Sequence, residues 1–155
     1  MDKLSEEIVR SATLKGIHIG FAESLTGGLI SAEIVNVPGA SAVLEGSIVS
    51  YSNEVKTNVL GVDPEVIKSV GAVSEECAKQ MAEGARKVLG ADRTVSVTGI
   101  AGPGGGSPEK PVGTVYIGVS TPESNYARKF LFEGNREEIR DLTAAEALKM
   151  LKEVL

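Results

Sequence analysis

The chain has 155 residues, the size of one ordinary domain, and its 42% hydrophobic and 24% charged residues exclude a disordered segment. A net charge of −5, no tryptophan and only 4% aromatic residues argue against a nucleic-acid surface, and no apolar run is long enough to span a bilayer, so no membrane partner and a cytoplasmic location are expected. The one cysteine, Cys77, excludes an internal disulfide, and the one histidine, His18, excludes paired-histidine metal sites.

Residues 2–15 carry Leu4, Ile8, Ala12 and Leu14 at helical spacing, with Gly16 placed as a stop. Ile17 to Ala22 is a short apolar run and predicts a buried strand. A helix over 26–36 must end before Pro38, and a small helical turn follows near Ser41. GSIVSYS (46–52) predicts a strand, and NEVKTNVLG (53–61) and DPEVIKSVG (63–71) two short helices, the first with Asn53 as cap, the second with Asp63 as cap and Pro64 at its first position. Ser74 caps a longer helix that runs to Leu89, closed by Gly90. Three strands follow, over 93–99, 112–120 and 125–133; the turn TPES at 121–124 predicts antiparallel pairing of the last two. A final helix starts after Asn135, which has the capping-box spacing to Glu138, and runs to the C-terminus. Helices alternate with strands at first, and the last three strands are consecutive. The expected architecture is one single-domain α/β/α three-layer sandwich with a mixed sheet.

Four stretches carry candidate chemistry. Ser24 stands where a strand gives way to a helix. Such a serine is a cap, or a nucleophile held over the backbone amides of Thr26, Gly27 and Gly28, which suit a phosphate or an oxyanion. The stretch is neither the nucleophile elbow nor a P-loop nor a dinucleotide fingerprint. A serine nucleophile needs a base. His18 lies in the first strand and reads as a strand residue, which leaves a Ser-His-Asp triad without its histidine. Lys56 sits in the first turn of a helix, where the dipole favours the neutral amine, although burial would have to supply most of the effect; otherwise it is a solvated surface lysine. Tyr51, at the end of the preceding strand, offers a proton relay or ordinary packing.

The Gly- and Pro-rich loop between the strands ending at Gly99 and starting at Val112 is either a plain connection or an anion nest, with Thr98 and Lys110 beside it. Arg136 and Arg140 lie one turn apart at the start of the last helix and offer a phosphate fork, or pairs with neighbouring carboxylates.

In order and spacing, Glu23-Ser24-Leu25-Thr26-Gly27-Gly28, Pro38-Gly39-Ala40-Ser41, Tyr51-Ser52-Asn53 with Lys56, Leu60-Gly61-Val62, Gly71-Ala72-Val73-Ser74, Met81-Ala82, Thr98-Gly99-Ile100-Ala101-Gly102-Pro103, Lys110-Pro111-Val112-Gly113-Thr114 and Gly134-Asn135-Arg136 resemble the CinA C-terminal domain family over nearly the whole chain. Leu25 and Asn135 depart from the cysteine and aspartate of many members. With Met at position 1 and a helix before the first motif, the chain resembles the stand-alone form. The resemblance implies deamidation of nicotinamide mononucleotide to nicotinate mononucleotide and ammonia, with the family's serine, tyrosine and lysine at Ser24, Tyr51 and Lys56. Candidate substrate contacts are Thr26, Gly27, Gly28, Ser41, Thr98, Gly99, Gly102 and Arg136 or Arg140. No metal or organic cofactor is expected, and a homodimer or higher assembly is. The rival readings are a non-catalytic nucleotide-binding or partner-docking module, and an amidase or esterase for another nucleotide-like substrate.

Overall fold

The computed structural model describes residues 1–155. Its elements run α1 (Asp2–Lys15), β1 (Ile19–Glu23), α2 (Leu29–Val35), a 3-10 turn (Ala40–Ala42), β2 (Leu44–Val49), α3 (Asn53–Asn58), α4 (Pro64–Val70), α5 (Glu75–Leu89), β3 (Arg93–Gly99), β4 (Thr114–Ser120), β5 (Asn125–Leu131) and α6 (Arg136–Glu153). The strands form one mixed sheet in the order β2-β1-β3-β4-β5, parallel across β2, β1 and β3 and antiparallel from β3 to β5.

The two faces of the sheet differ in side-chain size. Ile19, Phe21, Val95, Val97, Val115, Ile117 and Val119 form one large core with Ile8 of α1, Ile30 and Ile34 of α2 and Ile139, Leu148 and Leu151 of α6. The alternation of strand side chains puts small residues on the opposite face. There Thr94, Ser96 and Thr98 of β3 donate their hydroxyls to the carbonyls of Ala82, Ala78 and Ala72, at 2.6, 2.5 and 2.9 Å. A Cβ on Gly118 of β4 would lie 2.4 Å from the Ala78 carbonyl oxygen, so glycine is what lets α5 lie this close. A smaller core of Ala22, Leu60, Val62, Cys77, Met81 and Ala85 fills that side.

Sequence signals for most helix ends hold, through the capping residue's own backbone or side chain. Gly16 closes α1 with φ 65° and Gly90 closes α5 with φ 63°. Ser74 accepts from the Cys77 N–H, Asp63 from the Glu65 N–H, and Asn135 and Glu138 form the full capping box. Two expectations need correction. The cap of α3 is Ser52, which accepts from the Val55 N–H, and not Asn53. The second helix begins at Leu29, because residues 24–28 form a separate turn in which Gly27 and Gly28 have φ 60° and 105°.

The connection leaving β1 passes through α2 on one face, and the connection leaving β2 passes through α3 to α5 on the other. Neighbouring parallel strands whose connections part in this way open a crevice at their carboxyl ends.

Candidate functional site

That crevice is a cavity of about 250 Å³ lined by Ser24 and Leu25 from the end of β1, Tyr51, Asn53 and Lys56 from beyond β2, Thr98 and Gly99 from the end of β3, and Arg136 from the start of α6, with Ala72, Val73 and Ala101 between. Lys56 reaches down from α3 and is 2% exposed; Ser24 is 7% exposed. The Lys56 amine lies 3.0 Å from Ser24 Oγ, 2.8 Å from the Ser50 carbonyl oxygen and 3.0 Å from the Tyr51 carbonyl oxygen. No carboxylate pairs with it. Burial therefore pulls its pKa below the ordinary lysine range; Cys77 would act the other way only where its thiol ionises. A neutral amine has two N–H donors and one lone pair. Two carbonyls and one hydroxyl around Nζ match that set when the hydroxyl donates.

Cys77 lies beneath, wholly buried, and burial pushes its thiol up to about 11. At neutral pH it stays protonated and supplies no charge to the amine.

The residue preceding Ser24 organises the turn. Glu23 is wholly buried. Its Oε1 accepts from the Thr26 hydroxyl and from the N–H groups of Gly28 and Ile30, at 2.8, 3.1 and 3.0 Å. Its Oε2 lies 3.1 Å from the Ser31 nitrogen, 2.9 Å from Ser31 Oγ and 2.7 Å from Ser47 Oγ. The start of α2 is thus filled by an internal carboxylate. The amides of Gly27 and Gly28 are already engaged, Gly27 with the Ser24 carbonyl at 3.1 Å and Gly28 with Glu23. They do not face an incoming anion, which corrects the expectation drawn from the glycines. The N–H groups of Leu25 and Thr26 donate to no acceptor in the protein.

Other residues singled out from sequence fall into place unequally. Tyr51 is 64% exposed, and its hydroxyl lies 3.4 Å from an Arg136 nitrogen at the cavity rim. It does not stand between Ser24 and Lys56; the backbone carbonyl of Tyr51 does the holding. Thr98 lines the cavity, with its hydroxyl spent on Ala72. The Gly102 carbonyl accepts from Arg136 at 2.7 Å, which fixes that guanidinium at the rim. Arg140 lies behind the turn, donating from Nε to the Leu25 carbonyl at 2.7 Å and from Nη2 to the Thr26 carbonyl at 3.0 Å. Lys110 is tied to the Val70 carbonyl outside the cavity. His18 precedes β1, at the opposite end of the strand from Ser24, beside Glu45. Ser41 sits in the 3-10 turn before β2, also at the far end of the sheet, and lines a separate depression with Val37 and Pro38. Within the single chain it is not brought to Ser24.

Glu23 stands in the sequence motif with no role that the motif assigns. Its signal was a carboxylate at the end of an apolar strand next to a helix start, a position that forces it to find donors. The Ser50 and Tyr51 carbonyls carried no signal, since they depend only on backbone course.

Fold and cavity together define a class: a three-layer α/β domain in which a buried lysine meets a serine where parallel strands end. The whole chain, residues 1–155, matches the model of the CinA C-terminal domain. The chain belongs to that family. It is 46% identical over 154 residues to a putative competence-damage inducible protein of Caldanaerobacter subterraneus subsp. tengcongensis, covering 99% of this chain and 37% of that protein. It is 47% identical over 154 residues to a CinA-like protein of Thermotoga maritima, covering 99% of this chain and 38% of that protein. The chain thus spans less than two fifths of the length of these relatives. Among solved structures, the competence/damage inducible protein CihA of Agrobacterium tumefaciens matches with TM-score 0.97 and 40% identity over 99% of this chain and 94% of that one. A CinA superfamily protein of Escherichia coli matches with TM-score 0.95 and 27% identity over 99% of this chain and 90% of that one. No helix is long and apolar enough to cross a membrane.

Proposed function

We propose that this domain hydrolyses the carboxamide of nicotinamide mononucleotide, giving nicotinate mononucleotide and ammonia. The observation that carries the reading is the contact of 3.0 Å between Lys56 Nζ and Ser24 Oγ, made by an amine whose pKa burial lowers. A neutral Lys56 takes the Ser24 proton as Oγ attacks the carboxamide carbon. The N–H groups of Leu25 and Thr26 receive the oxygen that becomes negative; one such donor contributes about 3–4 kcal/mol in other enzymes. As the C–N bond breaks, Lys56 returns the proton to the departing ammonia. Water then attacks the ester carbon and gives a proton to Lys56, which passes it to Ser24 Oγ as the carboxylate leaves. Arg136 and the Tyr51 hydroxyl at the rim suit the 5′-phosphate.

Ammonia release from nicotinamide mononucleotide tests the reading. The wild type should release it and Ser24→Ala should not, while the variant still binds the nucleotide in a thermal-shift assay. Unchanged release by Ser24→Ala removes the nucleophile. Three acceptors around Nζ also suit a protonated ammonium, the arrangement of a module that binds nucleotide without turnover. Binding by the wild type with no ammonia would favour that module.

A further inference from the structure

The great majority of buried N–H groups in native proteins have an acceptor, so two successive ones without at the edge of a cavity point to a partner that enters it. Leu25 is 5% exposed and Thr26 is 0% exposed, and neither N–H has an acceptor. Their direction is set from behind. In a trans peptide the C=O and N–H point opposite ways. Arg140 holds the Leu25 carbonyl, so the Thr26 N–H is turned away from α6. The Ser24 carbonyl is held by the Gly27 N–H, so the Leu25 N–H is turned away from that contact. Gly27, with φ 60°, lets the chain make this turn, and a Cβ there would lie 3.6 Å from Arg140 Nη2.

We propose that Arg140 is a positioning residue that aims the Leu25 and Thr26 N–H groups at the oxygen developing beside Ser24, and that it does not bind substrate. The proposal rests on Ser24 being the nucleophile. The guanidinium suits the task because its planar fork reaches two successive carbonyls at fixed spacing, which an ammonium cannot do. Glu23 grips the same turn from the other side through the Thr26 hydroxyl. The turn is therefore held between a cation on its carbonyls and an anion on its hydroxyl and on the following amides. Arg136, one helical turn earlier, faces the cavity. The two arginines of α6 divide the work: one orients the backbone, one meets the ligand.

The experiment uses the full chain and two readouts, labelling of Ser24 by a fluorophosphonate probe and ammonia release from nicotinamide mononucleotide. A shift of about 1 Å in a catalytic group costs on the order of 100-fold. Arg140→Ala should slow labelling and turnover by about that factor, with KM unchanged and the midpoint of the pH profile unmoved. Added guanidinium ion should restore part of the rate, and Arg140→Lys should recover less than the wild type. Arg136→Met should instead raise KM. Labelling of Arg140→Ala within twofold of wild type, or a raised KM with unchanged turnover, overturns the proposal. So does a wild type in which Ser24 never reacts with the probe. Labelling with no ammonia released sinks only the substrate assignment and leaves the labelling series to decide on Arg140. Circular dichroism identifies an unfolded Arg140→Ala; Arg140→Lys, which keeps the charge and loses the fork, then carries the test.

Discussion

Glu23→Gln tests whether one buried carboxylate ends β1 and starts α2. Glutamine keeps the shape of glutamate and turns one acceptor oxygen into an NH₂ donor. At the Oε1 position that NH₂ would oppose the N–H groups of Gly28 and Ile30, and neither can reverse. At the Oε2 position it opposes one fixed donor, the Ser31 N–H, because the hydroxyls of Ser31 and Ser47 can rotate to accept. The second orientation costs less. It leaves one buried donor facing another, which costs about 1–3 kcal/mol. The helix start also loses its acidic group, for about 0.3–2 kcal/mol more. A loss of about 3 kcal/mol follows, a large share of the roughly 5–15 kcal/mol that holds a domain together. Urea unfolding followed by far-ultraviolet circular dichroism measures it as a lower midpoint at unchanged slope. A loss under about 0.5 kcal/mol would refute the reasoning, because it would mean the six contacts to the carboxylate cost nothing to disturb.

Lys56→Met should abolish turnover at neutral pH and change the pH dependence of stability. Lys56 binds its proton less tightly folded than unfolded, so stability should rise with pH from its lowered pKa toward the ordinary lysine range. Cys77, raised to about 11 from an ordinary 9.0, acts in the opposite direction above pH 9.0, so the slope is read below that value. The variant should lack the Lys56 rise; an unchanged slope in urea titrations between neutral pH and pH 9.0 removes the buried amine as its cause. Gly84→Ala should destabilise by at least about 1–3 kcal/mol, since its Cβ would lie 1.8 Å from the Leu60 carbonyl oxygen; a melting temperature within a degree of wild type would contradict that approach. Ser5 carries the one buried side-chain oxygen with no partner, so Ser5→Ala should be neutral or stabilising by up to about 1 kcal/mol in the same unfolding assay, and a loss of that size would point to a partner not seen.

The layers and the mixed sheet were legible because each depends on local pattern. Gly16, Asp63, Ser74, Gly90 and Asn135 each close or open a helix through their own backbone or side chain. Residues 26–28, expected to be helical, belong instead to a turn whose shape depends on Glu23, a side chain whose acceptors serve residues up to eight positions away and Ser47 on the next strand. The partnership of Ser24 and Lys56 spans 32 positions and was approached through residue types alone. Which arginine faces the cavity could not be read from a shared helix face. It depends on Gly102 meeting Arg136, and on the Leu25 and Thr26 carbonyls meeting Arg140. Tyr51 looked like a relay because its position was right; its side chain turns outward while its carbonyl turns in.

The most direct test of the Ser24–Lys56 pair is intact-mass spectrometry of the protein acid-quenched during turnover of nicotinamide mononucleotide, followed by peptide mapping. The account predicts an ester-linked nicotinate-nucleotide adduct on the peptide containing Ser24, absent from both Ser24→Ala and Lys56→Met. Ammonia released at the wild-type rate by Lys56→Met, or an adduct mapped to any other residue, would contradict it.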